Sequence, residues 1–343
     1  MEIRLLSPVN NAVIEIIPAL QNEILASLPS GDTVLENSFN WRAPVASDKE
    51  NTTPRYINFC WGLDGELANL FSIQLYIADN AEFDNAEKHI INPAEAFLSL
   101  NNFKRDTVYF WKMVAHDIDG PICESVVNTF KTGAALPQWY KVSGVTNLRD
   151  VGGWKTENNK TIKESLAFRG SEIGFAGDDC LAVSFFKNKL GIKTELDLRF
   201  EDEITPFNKK ISGADYYIFN ILAYGAIDTD EQKEKYRDIF KILANPDSYP
   251  VYLHCVAGAD RTGTVVALLK ALLGVSPDDI ATDYELTTMC PFGARSRCQE
   301  AYHSFTEFLL SYGDTLKSGA ENYLLSCGVT KTELQNIKKI FIA

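Results

Sequence analysis

The sequence predicts two domains: an N-terminal all-β sandwich over residues 1–135, and a C-terminal α/β domain over 136–343 whose central, mostly parallel sheet is flanked by helices. Three observations lead there. At 343 residues the chain exceeds what one hydrophobic core usually organises. Its first third alternates apolar and polar residues with period two, the pattern of half-buried antiparallel strands. Beyond the break at Ala134-Ala135-Leu136-Pro137-Gln138, short apolar strands alternate with helical stretches, the layer order of an α/β fold.

In the first domain, residues 56–61, 71–77 and 107–115 read as strands, with turns at Leu63-Asp64-Gly65 and Asp117-Ile118-Asp119-Gly120. Trp41, Trp61 and Trp111 fit inward faces of such a sandwich better than a ligand platform. The run 109–115, then Asp119-Gly120 and residues 129–133, resembles fibronectin type III modules, which implies a positioning domain that contacts a protein partner. In the second domain, residues 193–198, 216–221 and 251–254 read as strands, and 178–190, 230–244 and 262–273 as helices. Ser276-Pro277-Asp278-Asp279 starts a further helix with proline in its first turn, and Lys331-Thr332-Glu333-Leu334 starts the last.

A net charge of −13 argues against a nucleic-acid or anionic-membrane surface, so any local positive charge must come from the site itself. No apolar run reaches the ~18 residues of a membrane span, and the first residues lack a signal-peptide pattern. The expectation is a soluble chain, cytoplasmic or exported with its signal removed. The seven cysteines contain no C-x2-C pair, which leaves zinc unsupported; neither metal nor cofactor is expected.

The chemistry concentrates in His254-Cys255-Val256-Ala257-Gly258-Ala259-Asp260-Arg261-Thr262-Gly263, set between the apolar strand 251–254 and a helical run. A loop that joins strand to helix turns several N–H groups toward one point, and the helix N-terminus adds positive potential, so a phosphate dianion is a natural occupant. The same field favours a thiolate, which makes Cys255 the candidate nucleophile. Val256, Ala257, Gly258 and Ala259 supply the cradle, and Arg261 supplies a planar fork for two phosphate oxygens. Thr262 is placed to donate its hydroxyl to the sulfur or to cap the helix. His254 reads as an orienting residue rather than a base, because a preformed thiolate needs no proton abstraction.

This H-C-x5-R-T-G loop resembles the signature of the cysteine-dependent protein tyrosine phosphatase superfamily. Asn147-Leu148-Arg149-Asp150-Val151-Gly152-Gly153, Arg169-Gly170-Ser171 and Asp197-Leu198-Arg199 precede it in the order of a bacterial tyrosine-protein phosphatase family with an HCxAGxDRTG loop. The resemblance covers residues 138–343. It implies a phosphatase acting on tyrosine, or with dual specificity, through a cysteinyl-phosphate. It also implies that Asp260, beside the loop arginine, is the general acid; pairing with Arg261 or capping the helix is the plainer use, and Asp197, Asp228 and Asp230 are the substitutes, the last two in a stretch (223–238) suited to a lid. Asn147, Arg149 and Asp150 are expected to brace the loop from behind, and Asp197 and Arg199 to serve the site or form a structural ion pair. Members that also hydrolyse phosphoinositides carry a lysine where this chain has Ala259, so a phosphorylated protein or aryl phosphate is the favoured substrate. A phosphoinositide phosphatase, a catalytically silent phospho-binding module and a sulfurtransferase are the rivals.

Overall fold

The computed structural model describes residues 2–27, 51–65, 70–175, 179–205 and 209–342. Two compact units emerge: Met1–Ile17 with Pro54–Gln138, and Pro18–Thr53 with Trp139–Ala343.

The strands of the first unit among the described residues are β1 (Glu2–Ser7), β2 (Ala12–Ile14), β3 (Ile57–Asp64), β4 (Ser72–Ala78), β5 (Glu87–Ile91), β6 (Phe97–Leu100), β7 (Val108–His116), β8 (Pro121–Glu124) and β9 (Asn128–Thr132). One sheet runs β1-β3-β6 and the other β2-β9-β7-β4-β5, with β8 added on β7. Inward residues of both, among them Ile3, Phe59, Leu75, Trp111 and Phe130, share one apolar cluster. Trp61 and Trp111 lie in that core, and Trp111 meets Phe59 edge-on at 5.1 Å. Trp41 lies outside the described residues. The Asp117–Gly120 turn forms as its sequence demands, with the Asp117 carboxylate accepting from Asp119 N at 2.8 Å and Gly120 N at 2.9 Å. One pairing departs from an antiparallel pattern: β2 runs parallel to β9, because strands that far apart in the chain are not bound to each other by a hairpin.

In the second unit the order is α1 (Gln21–Ser27), β10 (Arg149–Asp150), β11 (Ala167–Gly170), α2 (Asp179–Asn188), β12 (Thr194–Asp197), β13 (Asp215–Ile218), α3 (Asp230–Leu243), β14 (Val251–His254), α4 (Asp260–Leu273), α5 (Pro277–Glu285), α6 (Glu300–Tyr312), α7 (Leu316–Ser326) and α8 (Lys331–Phe341). The sheet runs β10-β11-β14-β12-β13, antiparallel only between β10 and β11. β14 is therefore central, and its four residues are buried, which explains why Val251-Tyr252-Leu253 is apolar without alternation. α4 is buried from Thr262 to Leu273 and stops at Gly274 in the left-handed region. Ser276 and Thr330 cap α5 and α8 as their sequences suggest.

The division differs from a single cut at 135/136 in two respects: the break falls between Gln138 and Trp139, and a segment nearer the N-terminus goes with the second unit. The described residues 18–27 and 51–53 go with the second unit, where Leu20, Ile24 and Leu25 of the α1 region join Trp139, Leu286 and Met289 in a small apolar cluster. Trp139 Nε1 donates to Gln21 Oε1 at 2.6 Å, a buried polar pair that fixes this packing.

Candidate active site

β14 delivers Cys255 to the carboxyl end of a parallel sheet, where ligand crevices of open α/β sheets lie. The sulfur's residue is 2% exposed. The loop beyond Cys255 is held by its carbonyl groups. Val256 O accepts from Glu172 N at 3.1 Å. Ala257 O and Gly258 O accept from Asn147 Nδ2 at 3.2 and 3.1 Å. Arg169 Nη2 donates to Gly258 O at 2.7 Å and to Ala259 O at 3.4 Å. In a trans peptide the N–H of the next residue points opposite the C=O, so these outward carbonyls turn the N–H groups of residues 257–260 into the hollow of the loop. Gly258 makes the turn possible. Its φ is +64°, and a Cβ there would stand 2.1 Å from Gly170 O.

The residues gripping the loop are anchored in turn by a fully buried charge cluster. Asp283 of α5 accepts from Arg149 Nε at 2.8 Å and Arg169 Nη1 at 2.9 Å, and Lys270 Nζ lies 3.1 Å away. Arg149 also donates to the Asn147 side chain, so one carboxylate orients both side chains that bond the loop carbonyls. Burial alone would raise the Asp283 pKa, but Arg149, Lys270 and Arg169 together hold it far below the usual range. Burial, aided by repulsion from Arg169 and Arg149, brings the Lys270 ammonium down to about 8 despite Asp283. Three cations face one carboxylate here, leaving positive charge in excess beneath the loop.

Asn147 thus bonds the loop directly, and Arg149 reaches it through the Asn147 side chain. Asp150 does something else. Its oxygens accept from Gly152 N at 2.7 Å and Ser165 N at 2.6 Å, tying its own turn together. Burial lifts its pKa to about 7 against those two bonds.

A second network lies on the β12 side. His254 Nε2 meets Glu195 Oε1 at 3.0 Å, and Nδ1 lies 3.9 Å from Asp197 Oδ1. Burial works against the imidazolium, yet Asp197 and Glu195 raise its pKa, and the ring is held between those two carboxylates. Asp197 accepts from Arg199 Nε at 2.9 Å and Nη2 at 2.6 Å and from Tyr216 OH at 2.8 Å. Burial opposes its ionisation, but these donors take it to about 2. Arg199 reaches on to Glu172, whose backbone N bonds Val256 O; the pair is structural and touches the loop at one remove.

Around the mouth, both loop side chains that the sequence singles out are engaged. Glu203, in the 3-10 turn Glu201–Glu203, takes Arg261 by both terminal nitrogens, and the guanidinium also lies 5.5 Å over the Phe200 ring. Asp260 is paired not with Arg261 but with Arg295, whose Nε and Nη2 donate to its two oxygens at 2.9 and 3.1 Å, and it accepts the Tyr224 hydroxyl as well. Although burial would raise its pKa, Arg295 and Tyr224 lower it. Neither Asp260 nor Thr262 caps α4, whose cap position is Ala259. Thr262 Oγ1 is buried and makes no hydrogen bond, so donation to the Cys255 sulfur is not formed in this geometry. Asp228 bonds Lys233 at 2.7 Å and Tyr312 at 2.6 Å, and the stretch 223–238 is a 3-10 turn followed by α3.

Asp283, Lys270, Glu203, Arg295 and Tyr224 belong to none of the sequence motifs, and Arg169 is visible in the sequence only as a landmark. Asp283 carried a usable signal. On α5 it is flanked by Ile280 and Tyr284 on the buried stripe, where an unpaired carboxylate is not tolerated.

Residues 140–343 match the tyrosine phosphatase family, and the chain belongs to it. A tyrosine-protein phosphatase of Nostoc commune is 25% identical over 193 residues, 43% of this chain and 66% of that protein. A Dictyostelium discoideum protein named a probable tyrosine-protein phosphatase is 30% identical over 93 residues, 25% of this chain and 54% of its own length. The chain therefore spans less than two thirds of the length of these relatives. The core catalytic domain of the S. cerevisiae PP-IP phosphatase SIW14 resembles 48% of this chain at 21% identity and a TM-score of 0.32, over 91% of that domain. Among the described residues no helix is long and apolar enough to cross a membrane.

Proposed function

We propose that the chain is a cysteine-dependent phosphomonoesterase that releases phosphate from phosphotyrosine or another aryl phosphate through a cysteinyl-phosphate. The observation that carries this reading is the loop after Cys255, whose carbonyls from Val256 to Ala259 are all bonded outward and whose amides are left for an anion. Membership of the tyrosine phosphatase family supports it. In the first step Cys255 Sγ attacks phosphorus in line while the loop amides and Arg261, released from Glu203, hold the equatorial oxygens. Asp260 handles the protons of leaving group and water. The absence of a cation at Ala259 favours this substrate class over phosphoinositides.

The loop reads as the bacterial HCxAGxDRTG type. The first unit is read as a fibronectin type III-like sandwich that contacts a protein partner; two sheets closing on one aromatic core support that architecture.

The test compares phosphate release from phosphotyrosine peptide, phosphoserine peptide and a phosphoinositide panel. Turnover led by the tyrosine peptide, and abolished in Cys255→Ser, is the expected result. Inertness toward every ester, with tight phosphate binding, would leave a silent phospho-binding module.

A further inference from the structure

A carboxylate offers about two hydrogen-bond sites on each oxygen, and those of Asp260 are filled unequally. Oδ1 accepts from Arg295 Nε at 2.9 Å and from the Tyr224 hydroxyl, whereas among the described residues Oδ2 accepts only from Arg295 Nη2, at 3.1 Å. The open lone pair is therefore on Oδ2. The arginine fork alone would not make this choice, because it gives one bond to each oxygen; the phenol breaks the symmetry.

The main chain places Tyr224 for this contact. It opens the 3-10 turn Tyr224–Ile227 with φ +59°, a left-handed conformation that a bulky side chain keeps only where its surroundings over-determine it. Its N–H donates to Thr264 Oγ1 at 3.0 Å, and that hydroxyl donates to Asp260 O at 2.9 Å, so tyrosine and aspartate are fixed on one turn of α4. Gly225 brings the 3-10 turn against α6, where a Cβ would stand 3.0 Å from Ser304 O. Behind the phenol, Tyr284 OH lies 2.9 Å from Tyr224 OH. A hydroxyl has one hydrogen, and that of Tyr224 is committed to a carboxylate, so donation runs one way, from Tyr284 to Tyr224 to Asp260. Burial, with Tyr284 and Asp260 beside it, raises the Tyr224 pKa, and the phenol keeps its hydrogen.

We propose that Tyr224 is a positioning residue that divides the work between the two oxygens of Asp260: by filling Oδ1, it leaves Oδ2 to carry the proton between water and leaving group. This rests on the phosphatase reading above. In the first step the bond from Cys255 Sγ to phosphorus forms as P–O breaks, and the leaving oxygen takes the electron pair and the proton on Oδ2. In the second, water attacks phosphorus, one of its protons passes to Oδ2, and the S–P electrons return to Cys255 as thiolate. The proton received from water in one turnover is the one given to the next leaving group. Without the phenol the carboxyl can hold its proton on either oxygen, and the productive arrangement is present only part of the time.

The experiment measures kcat/KM, which reports formation of the cysteinyl-phosphate, for aryl phosphates of graded phenol acidity in the wild type, Tyr224→Phe, Asp260→Ala and the double variant. A well-placed acid leaves the wild-type rate only weakly dependent on phenol acidity. Tyr224→Phe should steepen that dependence, lowering kcat/KM about tenfold for the most basic phenol and less than about threefold for the most acidic. Because Tyr224 acts through Asp260, adding Tyr224→Phe to Asp260→Ala should change kcat/KM by less than about twofold. Tyr284→Phe removes the donor behind Tyr224 and should steepen the dependence by a smaller amount. It decides the matter if Tyr224→Phe does not fold, an unchanged slope then overturning the proposal. A uniform loss across the phenols in Tyr224→Phe, or independent losses in the double variant, overturns the proposal while leaving the phosphatase reading standing. A wild type inert toward every aryl phosphate overturns both.

Discussion

Glu203 occupies the guanidinium fork of Arg261: Nη2 donates to Oε1 at 2.8 Å and Nη1 to Oε2. A carboxylate there stands in for two oxygens of a phosphate, so the anion that binds must displace it or share the guanidinium. Because the Glu203 side chain is 32% exposed, the pair is worth only about 0.2–1 kcal/mol after solvent screening. Glu203→Gln should therefore strengthen competitive inhibition by inorganic phosphate, lowering Ki about two- to fivefold, with a smaller effect at high salt. An unchanged or weaker Ki would mean that Glu203 does not compete for the fork.

Replacing the nucleophile separates binding from chemistry. Cys255→Ser keeps the loop amides and Arg261, and it should bind phosphotyrosine peptide in calorimetry within a few-fold of the wild-type KM. Turnover should fall by more than about a thousandfold, since a serine hydroxyl without an adjacent base is a poor nucleophile. Substantial residual kcat would relocate the nucleophile.

Asp283 is the carboxylate that Arg149, Arg169 and Lys270 share, all fully buried. Asp283→Asn leaves three cations without a counter-charge and should cost about 3–5 kcal/mol in urea unfolding. Lys270→Met removes one surplus charge and should cost less. Equal losses in the two variants would argue against the imbalance.

Asp150 sets a pH dependence of stability. With its carboxyl pKa raised from 3.8 to about 7, the native state binds this proton more tightly than the unfolded chain, so its contribution is full below pH ~4 and is lost as pH climbs through ~7. The change is roughly 4 kcal/mol at most. Unfolding free energies of the wild type minus those of Asp150→Asn, measured at intervals from pH 4 to 8, should fall across that window. A flat difference would place the carboxyl pKa near its ordinary value.

Strand β14, the loop and α4 were legible because their signals are local: an apolar run, glycines at 258 and 263, and a helical stretch within twenty-odd residues. The helix nevertheless starts at Asp260 rather than at Thr262, since Ala259 holds the cap position. Asn147 and Arg149 were legible through a motif. Glu203, Arg295 and Tyr224 were not, because each reaches the loop from a turn or segment more than thirty positions away, and nothing local distinguishes them among 46 acidic and 33 basic residues. The place of residues 18–27 in the second unit was hidden for the same reason: it depends on Gln21 and Ile24 meeting Trp139, Leu286 and Met289.

Gly258 rests against the main chain of Gly170, with no side chain between them. The cradle therefore cannot be lifted out as a ten-residue cassette. Anyone grafting it onto another scaffold would have to carry the end of β11 along with it, and a random library that varies position 258 should yield survivors only where it remains the smallest residue.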